Sequence, residues 1–191
     1  MCVGRRRGRG RARKPPWDRG RRDGEGHWVA RPAGGPARVL SRRGTVLSDA
    51  FPDIAAAAER DLPEDVLLDG ELVDWHDGKL AFDLLRKRMN RTRAGASKLA
   101  WESPANFVAF DLIPRDRDLT ALPYTERRSA LEALFAEYGL GPPWVLCPST
   151  TDRALAERWM REWAPAGIEG LMVKDPRQRY LPGERRWRKF R

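Results

Sequence analysis

The sequence predicts an α+β fold of largely antiparallel sheets packed with helices. Three observations carry this: short apolar runs rich in β-branched and aromatic residues, separate segments whose apolar residues recur at helical spacing, and no strict alternation of the two kinds. With 191 residues, 41% of them hydrophobic, the chain suffices for one well-cored domain.

Residues 1–37 are dominated by Arg, Gly, Pro and Ala and carry neither a strand nor a helix period. That predicts a basic, irregular or disordered segment ahead of a folded domain spanning 38–191. "ARVLS" (37–41) reads as a strand entering the loop "RRGT", and "FPDIAAAAER" (51–60) as an alanine-rich helix. "VLLDGELVDW" (66–75) reads as two strand segments pivoting on Gly70 and closed by the turn "HDG". "FDLLRKRMN" has the helical period, whereas "NFVAFDLI" (106–113) is a buried-strand run. In "YTERRSALEALFAEY" (124–138), Ala130, Leu131, Leu134 and Phe135 make one apolar face, and Gly139 stops the helix. "PWVLCP" follows as a strand and "TDRALAERWMREWA" as a helix capped by Thr151 or Asp152. "GLMVK" and the alternating "RRWRKFR" complete the strands.

The formal net charge is +10, and it is concentrated at the two ends. Residues 1–26 hold ten Lys/Arg against three Asp/Glu, and 177–191 hold seven against one, which leaves the middle net acidic. Basic ends on such a body suit a polyanionic partner, because cations near phosphates release counterions. The two cysteines, Cys2 and Cys147, have no metal-ligand or C-x-x-C spacing, which points away from a zinc site or a disulfide framework. No apolar run approaches the ~18 residues of a membrane span, and no secretory h-region follows the arginines. A cytoplasmic protein with no membrane association is expected.

Several strand edges carry charge or rings that a rigid sheet could aim into one cleft. Arg42 and Arg43, beside Ser41, offer guanidinium forks for phosphate or carboxylate, or simply form a surface turn. Asp69 and Glu71 stand two apart on one strand face, where they could accept a ribose hydroxyl or hold Mg²⁺, or be a solvated edge. Phe107 and Phe110 are rings on which a purine could stack, or core residues. Glu169 could hold a metal beside Lys174, Trp187, Lys189 and Arg191, a set whose cations could neutralise a triphosphate.

The order of these motifs, S-R-R-G, D-G-E-L, F-V-A-F-D-L, E-G-L-M-V-K and W-x-K-x-R, resembles that of the adenylation domain of ATP-dependent DNA ligases, from about Arg38 to Arg191. "SRRGTVLSDAFPDI", "LLDGELVDW", "FVAFDLI" and "GIEGLMVK" are similar to bacterial ligases of this type, including those of end-joining repair. The resemblance implies an ATP-grasp-like fold, ATP with Mg²⁺ (or Mn²⁺), and nicked double-stranded DNA as the partner. It also implies roles: Arg42 and Arg43 in a phosphate- and DNA-contacting loop, Glu71 on the ribose and near the metal, Phe110 on adenine, and Glu169 on the metal. Lys174, Lys189 and Arg191 would contact the nucleotide phosphates. RNA ligases and mRNA-capping guanylyltransferases share the motif order, although "SRRGT" and "FVAFDLI" favour DNA ligase. A catalytically dead nucleotide- or DNA-binding module is the non-enzymatic alternative.

In that family the lysine of a K-x-D-G motif attacks the α-phosphate of ATP, giving lysyl-AMP and pyrophosphate. No K-x-D-G occurs in this sequence, and "RRDG" stands at the corresponding distance, so Arg21 takes the lysine's place. A guanidinium, with a pKa above ~12, keeps its proton and has no lone pair for phosphorus. Lys14, in "KPPWDRG", is the weaker candidate, with the wrong spacing. The composition of residues 1–37 is also what a GC-rich gene yields when read out of frame. A β-barrel of OB type follows W-x-K-x-R in the family, whereas this chain stops at Arg191. A truncated adenylation domain, impaired in joining unless a partner supplies the barrel or other repair functions, is the expectation.

Overall fold

The computed structural model describes residues 26–113, 121–181 and 187–190. Lys14, Arg21 and Arg191 lie outside the described residues. In chain order the elements are β1 (His27–Arg31), β2 (Arg38–Ser41), α1 (Pro52–Asp61), β3 (Val66–Val73), β4 (Trp75–His76), β5 (Lys79–Leu80), α2 (Phe82–Met89), α3 (Arg93–Glu102), β6 (Asn106–Leu112), α4 (Tyr124–Glu137), β7 (Trp144–Leu146), α5 (Arg153–Trp163), β8 (Leu171–Val173) and β9 (Arg188–Phe190). Five strands form one sheet in the order β2-β1-β3-β6-β7, and β8 pairs with β9 as a separate ribbon. All pairings are antiparallel except β6 with β7. The α+β class expected from sequence is the one observed.

One face of the sheet is closed by helices. α1 begins with Pro52 at its first turn, where a missing N–H costs nothing, and turns Ile54, Ala57 and Ala58 inward at helical spacing. These pack with Val29, Val39, Leu68, Leu72, Phe107 and, from α4, Leu131 and Leu134. Phe107 meets Trp144 edge to face, with centroids 6.0 Å apart, and the Trp144 indole N–H donates to Asp61 at 2.9 Å. Buried Arg88 ties the helices together: its guanidinium donates to both oxygens of Asp53 at 3.0 and 2.9 Å and to the Ser103 carbonyl. The opposite face has only a small apolar patch, Trp28, Ala30, Leu40 and Leu67. These four are each 4% exposed or less, so this face too is covered.

Two expectations are corrected here. The segment 1–37 is not irregular throughout, because "HWVAR" forms β1, flanked by β2 and β3, with Trp28, Val29 and Ala30 buried. Five residues of strand were outweighed by the Arg/Gly/Pro/Ala composition around them. Nor does Gly70 act as a pivot, since β3 runs unbroken through it. A Cβ at Gly70 would lie 2.5 Å from the Phe107 ring and from the Val108 carbonyl oxygen, so glycine is there to let the neighbouring strand approach. The turn after β3 is the short hairpin β4–β5, with Asp77 and Gly78 both at positive φ, 51° and 72°.

α3 was not anticipated, because its buried residues are only Ala96 and Ala100. α5 is capped by Asp152, whose carboxylate accepts from the N–H groups of Ala154 and Leu155. Among the described residues no helix is long and apolar enough to cross a membrane.

Candidate nucleotide-binding site

The second face of the sheet owes its chemistry to a single irregularity. Asp69 pairs with Asp111 and Gly70 with Ala109, so Phe110 is the extra residue of a β-bulge. Before the bulge, Phe107 and Ala109 point to the helix-covered core; after it, Leu112 does. The inserted residue lets Phe110 and Asp111 both leave the core side, and thereby separates the two phenylalanines into a core ring and a site ring.

Directly opposed residues of antiparallel strands share a face, so Trp28, Asp69 and Asp111 form a row across β1, β3 and β6. Both aspartates are buried and both are compensated. The Tyr180 hydroxyl donates to Asp69 at 2.8 Å and the Arg42 guanidinium lies 3.4 Å away. Burial still pushes the Asp69 carboxyl up, against the lowering pull of Arg42 and of the Tyr180 hydrogen bond. Asp111 receives Arg127 through two nitrogens at 2.9 and 3.0 Å. Arg127 also donates to the carbonyls of Leu122 and Gln178, and its guanidinium lies over the rings of Tyr124 and Tyr180.

Lys174 follows β8 and reaches back to this row. Its Nζ donates to the Phe110 carbonyl at 3.1 Å. It sits 3.9 Å from the ring centre of Trp187, 4.4 Å from that of Tyr124 and 5.3 Å from that of Phe110. Burial lowers its pKa to about 8, a shift that the nearby Asp111 and Asp69 partly offset. Trp187 stands edge-on to Phe110, centroids 6.0 Å apart.

At the rim, Lys189 donates to Glu169 at 2.7 Å, and both are solvent-accessible. Met172 pairs with Lys189 in the β8–β9 register, so these two also share a face. Glu71 lies 3.1 Å from His27 Nδ1, an ion pair only when the imidazole is cationic. Arg43 is exposed, while Arg42 is part-buried, and the Nε of Arg42 and Nε1 of Trp28 are buried without a hydrogen-bond partner among the described residues. Lys174 thus joins Phe110 directly, Arg42 joins Asp69, and Lys189 joins Glu169. Arg191, with Lys14 and Arg21, falls outside the described residues.

Sequence reasoning missed Arg127, Asp111, Tyr124 and Tyr180. Arg127 left a signal, because it precedes Leu131 by four residues and Leu134 by seven, on the core face of its own helix. Among the described residues no three His, Cys, Asp or Glu side chains cluster into a metal cage. Glu169 and Glu71 nevertheless suit a hard cation that takes one or two carboxylates and completes its shell with phosphates and water.

Comparison with known proteins gives the family. A family model described as ATP dependent DNA ligase domain matches residues 19–191. DNA ligase C2 of Mycolicibacterium smegmatis is 37% identical over 153 residues, covering 80% of this chain and 43% of that protein. DNA ligase C of Mycobacterium tuberculosis is 34% identical over 155 residues, with the same coverage of 80% and 43%. The chain therefore spans less than half the length of these curated relatives. Among solved structures, the ligase domain of M. tuberculosis LigD superposes with a TM-score of 0.64 at 29% identity, covering 89% of this chain and 52% of that one. A mycobacterial DNA ligase D complexed with ATP and MES gives the same TM-score of 0.64, identity of 29%, and coverage of 89% and 52%. A described as well as a sequence-level likeness, reaching from before β1 to the end of the chain, places it: this chain belongs to the ATP-dependent DNA ligase domain family.

Proposed function

We propose that the chain is the ATP-binding module of a DNA ligase that acts on nicked double-stranded DNA in repair and recombination inside the cell. The observation that supports it best is the convergence, on one face of the sheet, of a bulge-exposed ring, buried paired carboxylates and a ribbon carrying Glu169 and Lys189. In this reading the adenine stacks on Phe110 and the ribose hydroxyls meet Glu71. The phosphates compete with Glu169 for Lys189, and the Glu169 carboxylate serves Mg²⁺. The bound cation would screen phosphate charge; the protein's part is to hold its carboxylates at the rim and keep the base side apolar. Exposed Arg43 and part-buried Arg42 face the DNA backbone.

As it stands, this chain binds ATP without becoming adenylated, because an arginine occupies the nucleophile's place in the sequence.

The test is Lys189→Ala, measured by calorimetric titration with ATP and with adenosine. A charged hydrogen bond contributes about 1.5–3 kcal/mol, so ATP affinity should fall roughly 10- to 150-fold while adenosine affinity holds. Equal losses for the two ligands, or none, would remove Lys189 from the phosphates and this reading with it.

A further inference from the structure

The β8–β9 ribbon lies outside the five-stranded sheet. The segment between its strands is held by Tyr180 on Asp69, by the Gln178 carbonyl on Arg127 and by the Pro123–Arg179 bridge, and Lys174 adds a contact at the end of β8. From β6, the ammonium meets the Phe110 carbonyl and ring, and Asp111 adds charge. Asp69 approaches from β3, Arg127 and the Tyr124 ring from α4, Cys147 from the turn after β7, and Trp187 from the ribbon itself. Three rings and a carbonyl thus occupy the surroundings of one small cation. The carbonyl and the ring faces engage the ammonium without any phosphate.

We propose that Lys174 is a positioning residue, a pin that holds the β8–β9 ribbon against the sheet and so sets Glu169 and Lys189 over the cleft, and that it is not a ligand of the nucleotide phosphates. The proposal rests on the reading that the cleft binds ATP. A cation is attracted to ring faces only while charged. Burial brings Lys174 to about 8, so the pin is fully present below that pH and is lost as pH rises through it. Cys147, Tyr124 and Tyr180 are all pushed upward by burial, away from this window.

The experiment uses the full chain and compares wild type, Lys174→Met and Lys174→Arg. Methionine keeps the apolar stem and removes the charge; arginine restores a cation that stacks on rings. Loss of a pin misplaces Lys189, so Lys174→Met should weaken ATP on the order of tenfold, adenosine less, with partial rescue by arginine, and should cost little more when Lys189→Ala is added. Wild-type ATP affinity should decline as pH rises through about 8, and the methionine variant should show no such decline. Fully additive losses in the double variant would make Lys174 a phosphate ligand in its own right and overturn the proposal, as would unchanged ATP affinity.

A second readout requires no nucleotide: the emission of Trp187, isolated by subtraction of a Trp187→Phe variant. It should titrate near pH 8 in the wild type, following the ammonium 3.9 Å from its ring, and not in Lys174→Met. Should the wild type bind neither ligand, the proposed function fails, and this titration alone decides the pin: a pH-independent emission refutes it.

Discussion

Arg127→Met should lower the unfolding free energy by about 3–5 kcal/mol, the largest single-residue effect we expect on stability. Arg127 and Asp111 are 1% and 0% exposed and are joined through two hydrogen bonds. The same guanidinium also satisfies the carbonyls of Leu122 and Gln178. Methionine retains most of the side-chain volume, so the loss reports the stranded Asp111 carboxylate and two orphaned carbonyls more than a cavity. Urea unfolding measures it directly. A companion variant tests the cause: replacing Asp111 by leucine in the Arg127→Met background should recover part of the loss, since an apolar pair is often tolerated where a half-pair is not. A single-variant loss below about 1 kcal/mol would mean that water reaches Asp111 and that the pair is not the buried strut described.

The second large effect is a gain. Arg21→Lys should convert a chain that gives no covalent product with α-labelled ATP and Mg²⁺ into one that gives an acid-labile AMP adduct, read by denaturing electrophoresis. The argument is chemical. An amine can shed its proton and attack phosphorus, whereas a guanidinium holds its charge across the whole working range. The adduct should map to residue 21. An adduct on the wild-type chain would instead make another lysine, with Lys14 the first to examine, the nucleophile.

Much of the fold could be read from sequence because its elements rest on local patterns. α1 and α4 show helical spacing, and β6 is a run of apolar residues, so periodicity identified each. β1 escaped because a five-residue strand gives little signal inside a basic, glycine-rich stretch. α3 escaped because two buried alanines are a weak apolar stripe. The site was legible in parts and illegible in its wiring. Motif order singled out Phe110, Glu71, Glu169 and Lys189, but whether a strand phenylalanine faces core or cleft depends on the bulge, which arises from pairing between residues some forty apart. The same holds for Asp69 with Tyr180, 111 residues away, and for Lys174 with Phe110, 64 residues away. Long-range partners leave no periodic trace, and a lysine on a strand reads as surface until the rings around it are placed.

The central claim is that the face bearing Phe110 binds ATP, and equilibrium dialysis of the whole chain with labelled ATP and Mg²⁺, in wild type and Phe110→Ala, tests it most directly. The account predicts saturable binding of about one ATP per chain, weakened by the substitution by about 1–3 kcal/mol, the usual worth of base stacking on a ring. In affinity that is roughly 5- to 150-fold. Absence of saturable binding, or equal affinity in the two proteins, would contradict it.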